Sequence, residues 1–155
     1  MNINEKLVDK LISLNYKIST AESCTGGLLA SSIVEVANAS KVFDMSFVTY
    51  SNESKVNLID VNPETIEKYG VVSEEVVAEM ARGVALKSNA QVGVGVSGIA
   101  GPTGATKTKP IGMVSFGFYV DGKVYTETVL FGDIGRNNVR KNSVEFAINY
   151  LLKIL

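Results

Sequence analysis

Strand-like segments alternate with helical segments through the first two-thirds of the chain, and this order constrains the fold more than any other feature. Apolar and small residues at strand spacing predict strands over 16–20, 42–50 and 90–96. Helical spacing and capping residues predict helices over 4–15, 26–37, 62–70 and 73–88, with a short helix that begins at 51–52. Strands joined through helices pair in parallel, and their helices cover the faces of the sheet.

The last third of the chain predicts a hairpin and a long helix. Asp121-Gly122 separates strand-like segments 111–120 and 123–131, and Asp-Gly is a strong two-residue turn signal. Segment 136–155 has the apolar spacing of an amphipathic helix. We therefore predict one α/β domain over 1–155: a three-layer α/β/α sandwich around a mixed, mainly parallel sheet, with a C-terminal hairpin and helix.

Composition excludes several classes of protein. Hydrophobic residues make up 46% of the 155 residues, but no apolar run approaches the roughly 18–20 residues that a membrane span needs. The polar N-terminus does not resemble a signal peptide, and the single cysteine is typical of a reducing cytoplasm. The net charge of −1, without a basic block, argues against binding to nucleic acid.

The chain contains no histidine, which restricts its chemistry sharply. Catalysis by Ser-His-Asp or Cys-His is therefore impossible. One cysteine without histidine also excludes most zinc sites. Any nucleophile must be activated by Lys, Tyr, Glu or Asp.

The segment 20–30 has the pattern of a sharp turn between a strand and a helix. Such a turn lifts a small side chain clear of the sheet, directs the N–H groups of a helix N-terminus at a ligand, and uses glycine for close approach. Ser23, Thr25, Gly26 and Gly27 occupy this turn. An ordinary loop in which Ser23 caps the helix is the structural alternative.

Three polar segments follow the ends of predicted strands, and they contain Ser23, Tyr50 and Ser97. Ligands of α/β sheets bind beyond the carboxyl ends of the strands, so these segments are expected to meet at one cleft. The third segment continues as a glycine-rich loop, 97–104, which is weak as a signal when it stands alone.

Taken together, the strings A-E-S-C-T-G-G (21–27), V-T-Y-S-N-E-S-K (48–55) and S-G-I-A-G-P-T-G (97–104) resemble the C-terminal domain of the competence/damage-inducible CinA proteins. Stand-alone versions of that domain are nicotinamide-nucleotide amidases, or NMN deamidases. The resemblance covers nearly the whole chain. Larger CinA proteins carry a further domain before this one, which we expect to be absent here. Family members tend to self-associate, so a homo-oligomer is expected.

The resemblance implies hydrolysis of the carboxamide of nicotinamide mononucleotide (NMN) to nicotinic acid mononucleotide and ammonia, without metal or organic cofactor, in the cytoplasm. Ser23 would be the nucleophile, with N–H groups of 24–27 as oxyanion donors. Lys55, with a lowered pKa, would activate it, and Tyr50 would either relay the proton between Ser23 and Lys55 or orient the amide of the substrate. A solvated Lys55 is the alternative. Cys24 is a rival nucleophile, although a small buried residue is the more ordinary role for it.

Short-chain dehydrogenases also use Ser, Tyr and Lys, but their Tyr and Lys lie four residues apart on a helix. Here the separation between Tyr50 and Lys55 is five. That class also needs a glycine-rich dinucleotide turn and a longer chain, so it is disfavoured.

The same resemblance implies a set of substrate-binding candidates. Arg140 is the first choice for the phosphate or ribose and Arg136 the second, and Ser40 matches a loop serine that could instead be a cap. Glu22 would orient Lys55 or the ribose, or form a buried salt bridge. Lys107 and Lys109 could form a cationic rim or be solvated. The full set is Glu22, Thr25, Gly26, Gly27, Ser40, Ser97, Gly98, Gly101, Arg136 and Arg140.

Two other functions remain open at the sequence level. The chain could be a nucleotide-binding module without turnover, in which Ser23 or Lys55 is misplaced. It could also be a serine amidase that acts on another small amide.

Overall fold

The computed structural model describes all residues from 1 to 155, which form one five-stranded sheet with helices on both of its faces. The strands are β1 Ile18–Glu22, β2 Phe47–Val48, β3 Val92–Gly98, β4 Met113–Val120 and β5 Lys123–Leu130. The helices are α1 Ile3–Leu14, α2 Leu28–Val34, α3 Asn52–Ile59, α4 Pro63–Tyr69, α5 Glu74–Ser88 and α6 Arg136–Ile154.

The sheet is mixed, with strand order β2-β1-β3-β4-β5. β1 pairs in parallel with both β2 and β3, whereas β4 is antiparallel to β3 and β5. Every strand except β4 therefore runs in the same direction. The predicted α/β fold with a mixed sheet and a C-terminal hairpin and helix is confirmed. The carboxyl ends of β1, β2 and β3 meet at one edge of the sheet.

The two faces of the sheet carry different side chains. Alternate residues of β3 and β4, such as Val94 and Phe116, pack into the main core with α1, α2 and α6. The intervening positions are small, and Gly95 and Gly117 lie opposite each other in the register beneath α5. Strand alternation thus gives one face a bulky core and lets α5 approach the other face closely.

The prediction of a strand over 42–50 is wrong for most of its length, because only Phe47–Val48 is a strand. Serine side chains replace the ladder that would extend it. Ser19 Oγ donates to Met45 O at 2.8 Å, and Ser46 Oγ accepts from Thr20 N–H at 3.0 Å. These contacts hold the segment beside β1 without regular backbone pairing.

Helix α2 is shorter than the predicted 26–37. Gly26 and Gly27 have φ values of +56° and +99°, so they belong to the turn, and Asn38 is also left-handed. Other predicted ends are confirmed: Asn62 caps α4 ahead of Pro63, and the Ser73 side chain caps α5.

Among the helices, none combines the length and the apolar character that crossing a membrane requires.

Candidate active site

Ser23 is the first residue after β1, and it lines a cavity of about 230 Å³ at the carboxyl ends of the strands. Its N–H donates to Val96 O of β3 at 3.0 Å, which fixes its backbone to the sheet. Only 9% of the residue is exposed. The cavity wall consists of Ser23, Cys24, Tyr50, Gly98, Ala100 and Arg136.

Lys55 is fully buried on α3, and its Nζ lies 3.3 Å from Ser23 Oγ. Nζ also donates to two backbone carbonyls, Thr49 O at 2.6 Å and Tyr50 O at 3.3 Å. Ile59, one turn further along α3, is also fully buried, so this face of the helix points inward. The predicted encounter of Ser23 and Lys55 is present in the structure, and Lys55 is not solvated.

Burial lowers the pKa of Lys55 from its usual 10.5 to about 8, because desolvation disfavours the ammonium form. The ion pairs of the structure, Lys17–Asp44 and Lys87–Asp60, do not include Lys55. No carboxylate therefore stabilises the charged form by direct contact. An amine with a pKa near 8 can exchange protons near neutral pH.

Burial raises the pKa of the Cys24 thiol from its usual 9.0 to about 11, since desolvation outweighs the opposing effects of nearby N–H and cationic groups. The thiol is therefore protonated at neutral pH, and a protonated thiol is a poor nucleophile. This argues against Cys24 as the rival nucleophile, although the residue contributes to the cavity wall.

Two of the four backbone N–H groups over 24–27 have a partner within the protein. Gly26 N–H donates to Ser23 O at 3.1 Å, and Gly27 N–H donates to Glu22 Oε1 at 3.2 Å. The N–H groups of Cys24 and Thr25 have no protein acceptor. Of these two residues only Cys24 lines the cavity, because Thr25 is fully buried. Of the oxyanion donors predicted over 24–27, only the N–H of Cys24 is both without a protein acceptor and on a residue that lines the cavity.

Glu22 does not orient Lys55 or face a substrate, and it forms no salt bridge, so both predicted roles are corrected. Its fully buried carboxylate accepts hydrogen bonds from the N–H groups of Gly27, Leu29 and Ala30. It also accepts from the hydroxyl of Thr20 at 2.9 Å. The carboxylate thus occupies the N-terminus of α2, where negative charge is favoured.

Tyr50 lies at the mouth of the cavity, and 64% of it is exposed. Its phenol accepts a hydrogen bond from Arg136 Nη2 at 3.3 Å, whereas Lys55 contacts its backbone carbonyl. Because Lys55 reaches Ser23 directly, a phenol relay between them is not needed. The alternative prediction, that Tyr50 orients the substrate, fits this position.

The order of the two arginine candidates is reversed in the structure. Arg136 lines the cavity and donates from Nη1 to Gly101 O at 2.8 Å. Arg140 is absent from the cavity wall, and its guanidinium is used on Cys24 O, Thr25 O and Asn137 Oδ1. Arg140 lies one helical turn further along α6 than Arg136, and it contacts carbonyls of the turn after β1 instead of the cavity.

The remaining candidates in the turn after β1, Thr25, Gly26 and Gly27, do not line the cavity. Thr25 is fully buried, and its Oγ1 has no partner. The N–H groups of Gly26 and Gly27 are already used within the protein, and both glycines shape the turn through positive φ values.

Outside the turn, Ser40 is exposed in a 3-10 turn, 39–41, that leads to the beginning of β1. The segment just after this turn pairs with the beginning of β1, where Phe43 bridges Ile18. Ser23 follows the other end of β1, so Ser40 lies at the opposite edge of the sheet and is not part of the site. Ser97 is buried and does not line the cavity. Gly98 does line it, and Gly101 supports Arg136 through its carbonyl.

Two contributions were missed from the sequence. The carbonyl of Thr49 makes the shortest contact to Lys55 Nζ, and Ala100 forms part of the cavity wall. A backbone carbonyl carries no sequence signal. Ala100 lies within the glycine-rich string, which could have indicated it.

A larger cavity, of about 660 Å³, lies elsewhere, between α5 and the strands β4 and β5. It is lined by residues such as Glu74, Lys109 and Thr128. Lys109 donates from Nζ to Tyr69 O and Val72 O, both at 2.6 Å, so it anchors its loop. We take the smaller cavity as the candidate active site, because Ser23 of the buried Ser–Lys pair lines it.

The fold and the site define an α/β domain with a buried Ser23–Lys55 pair at the carboxyl ends of its parallel strands. The chain matches the family model described as the CinA C-terminal domain over residues 1–155, and it belongs to that family. A CinA-like protein of Kosmotoga olearia is 45% identical over 154 residues, which are 99% of this chain and 37% of that relative.

Solved structures of the same superfamily share the fold. A CinA superfamily protein from Escherichia coli is 34% identical, with a TM-score of 0.96 over 99% of this chain and 89% of that one. A competence/damage-inducible protein from Agrobacterium tumefaciens is 38% identical, with a TM-score of 0.91 over 99% and 96%. The chain spans little more than a third of the length of the Kosmotoga relative.

Proposed function

We propose that the protein hydrolyses the carboxamide of nicotinamide mononucleotide to nicotinic acid mononucleotide and ammonia. The observation that carries this proposal is the buried contact of 3.3 Å between Lys55 Nζ and Ser23 Oγ at a cavity. A serine needs a base within hydrogen-bond reach to attack an amide, and the chain has no histidine to supply one.

The contacts of Lys55 suit the neutral amine. A neutral amine has two N–H groups and one lone pair, and the carbonyls of Thr49 and Tyr50 accept both N–H groups. The lone pair is then left for the hydroxyl hydrogen of Ser23. With a pKa of about 8, roughly a tenth of the molecules carry the neutral amine at pH 7.

In the proposed reaction, Ser23 Oγ bonds to the amide carbon while its proton passes to Lys55 Nζ. The C–N bond then breaks, and Lys55 returns the proton to the leaving nitrogen, which departs as ammonia. Water next gives a proton to Lys55 and attacks the acyl carbon. The bond to Ser23 Oγ breaks, Ser23 recovers its proton, and the acid product ionises.

The tetrahedral intermediate carries a negative oxygen that requires a donor. Cys24 lines the cavity, its N–H has no hydrogen-bond acceptor in the protein, and it is the residue after the nucleophile. The same position supplies an oxyanion donor in enzymes whose nucleophile sits on a sharp strand-to-helix turn.

The mouth of the cavity suits a pyridinium nucleotide. The exposed ring of Tyr50 offers a π-face to the cationic pyridinium, and the Arg136 guanidinium offers donors to the phosphate. At about 230 Å³ the cavity is smaller than typical ligand pockets. We therefore place the pyridine carboxamide inside it and the ribose phosphate at its mouth.

The test is ammonia release from NMN by the purified protein and by Ser23→Ala. We expect the wild type to release ammonia and the variant to lose at least about 10³-fold in kcat, since the nucleophile is gone. Ser13→Ala, on the exposed face of α1, is the matched control and should retain full activity. Full activity in Ser23→Ala would contradict the proposal.

Competition separates NMN from other small amides. Nicotinamide and nicotinamide riboside lack the phosphate, so a site that uses Arg136 should bind both more weakly than NMN. Equal turnover of all three would indicate a less selective serine amidase. NMN binding without ammonia release by the wild type would instead indicate a nucleotide-binding module.

A further inference from the structure

Arg140 connects α6 to the turn that carries the nucleophile. Its Nε donates to Cys24 O at 3.0 Å, and its Nη2 donates to Thr25 O at 3.2 Å. The third contact, from Nη1 to Asn137 Oδ1 at 3.0 Å, lies within α6. The guanidinium forms no ion pair with a carboxylate, and the residue does not line the cavity. Its charge is therefore directed at backbone groups of the turn.

Each of the three peptide groups that follow Ser23 is held through its carbonyl. Ser23 O accepts from Gly26 N–H, and Thr25 O accepts from Leu28 N–H as well as from Arg140. Cys24 O accepts from Arg140 alone. A trans peptide group is planar, so a fixed carbonyl also fixes the N–H on its other side. Arg140 thus makes the only hydrogen bond to the peptide plane between Cys24 and Thr25.

We propose that Arg140 is a positioning residue for the proposed amide hydrolysis. It holds the peptide plane on the carboxyl side of Cys24 and so restrains the backbone torsions of Cys24. The Cys24 N–H lies in the preceding plane, which Gly26 N–H holds through Ser23 O, and the two restraints together keep Ser23 Oγ and the Cys24 N–H aligned toward the reacting carbonyl. Arg140 also places a permanent positive charge behind the peptide groups next to the developing oxyanion. This inference rests on the proposed function for its substrate, but the contacts of Arg140 with Cys24 O and Thr25 O concern only the nucleophile and its turn.

The first test is the steady-state kinetics of Arg140→Lys with NMN. Lysine keeps the charge but cannot hold both carbonyls in the planar geometry of a guanidinium. We expect kcat to fall about 10–100-fold, as small misplacements of reacting groups do, with KM changed less than about threefold. A large rise in KM at unchanged kcat would overturn the positioning role, because it would identify a direct substrate contact.

The second test uses a small alkyl fluorophosphonate, which has neither ribose nor nucleotide phosphate. Ser23 Oγ bonds to phosphorus, fluoride leaves, and the hydroxyl proton passes to Lys55 Nζ. Arg140→Lys should slow this labelling by about the same factor as kcat. Labelling at the wild-type rate would overturn the proposal. A wild type that labels at Ser23 but releases no ammonia from NMN would count against the proposed substrate alone.

Chemical rescue separates positioning from general stability. Added guanidinium ion at millimolar concentration should restore part of the labelling rate in Arg140→Ala. Arg82→Gln, on the exposed surface of α5, should label at the wild-type rate with or without guanidinium. A slow Arg140→Ala variant that guanidinium does not rescue, and whose urea midpoint falls in proportion, would overturn the positioning role.

Discussion

At the residue scale, the site depends on the burial of one lysine. Lys55 is fully buried and contacts two carbonyls and a hydroxyl, but no carboxylate. The environment therefore penalises the ammonium and favours the amine, as a general base requires. The same burial should cost stability at neutral pH, so activity and stability make opposite demands on this residue.

The pH dependence of the proposed activity follows from the pKa of Lys55. The base must be neutral, so kcat/KM for NMN should rise about tenfold per pH unit below pH 8 and level off above it. Initial rates between pH 6 and 10 measure this profile. Lys41→Met, at an exposed position, should leave the midpoint unchanged. A flat profile through pH 8 would exclude Lys55 as the base.

Replacing Lys55 by methionine should abolish activity with little loss of stability at pH 7. The folded-state pKa is lowered from 10.5 to about 8, so burying the charged form costs roughly 3 kcal/mol below pH 8. Methionine removes that cost but leaves the carbonyls of Thr49 and Tyr50 without their donor.

The pH dependence of stability gives the sign of this effect. Between pH 8 and 10.5 the unfolded wild type binds more protons at Lys55 than the folded state does, so its stability should rise with pH. In urea unfolding, the free energy of unfolding of Lys55→Met relative to the wild type should be lower at pH 9.5 than at pH 7. A difference that is constant with pH would contradict the burial cost.

At the element scale, the N-terminus of helix α2 is capped by the side chain of Glu22, the last residue of β1. The Glu22 carboxylate accepts three N–H groups of the first turn, and Gly26 and Gly27 bend the chain so that this contact is possible. The carboxylate offsets the unpaired donors that every helix N-terminus has. Arg140 restrains the same turn from its carbonyl side.

Glu22→Gln should therefore destabilise the protein by about 2–3 kcal/mol, since buried hydrogen bonds to a charged acceptor are lost. An amide can offer only one oxygen to donors that now use both carboxylate oxygens. Urea unfolding measures the change. Glu35→Gln, at the exposed end of α2, is the control and should change stability by less than about 0.5 kcal/mol. Equal small effects of both substitutions would argue against the capping role.

At the scale of the whole molecule, the position of α5 depends on small residues in the sheet beneath it. A Cβ at Gly95 or Gly117 would meet Val77 O and neighbouring backbone atoms of α5. Gly93 has the same relation to Ala81. These neighbouring glycines allow the helix to lie close to β3 and β4, and β3 leads directly into the loop that borders the cavity.

Gly117→Ala should destabilise the protein by at least about 1–3 kcal/mol, because the added methyl would overlap backbone atoms of Val77 that cannot rotate away. Thermal and urea unfolding measure the loss. Val124→Ala, on the exposed edge strand β5, should stay within about 0.5 kcal/mol of wild type. A Gly117→Ala variant as stable as that control would show that α5 can shift without cost.

Local chemistry made most of the fold predictable. The Asn62-Pro63 helix start, the Ser73 cap and the Asp121-Gly122 hairpin act over a few residues, and all are present. The strand over 42–50 failed because serine side chains of β1 and of the segment beside it replace backbone pairing. That replacement depends on a neighbour distant in sequence, which local pattern does not reveal.

The sequence by itself determined the order of elements, the absence of imidazole chemistry, and the segments from which a nucleophile and its base could come. Tertiary structure alone decided which polar groups remain free. In the folded chain, Glu22 caps α2 and Arg140 binds the backbone of the turn after β1, so neither faces the cavity. The fold also brings Lys55 Nζ to Ser23 Oγ and leaves Arg136 in the cavity wall. The reason is physical: the reactivity of a titratable group depends on its burial and partners, and folding brings those partners from distant parts of the chain.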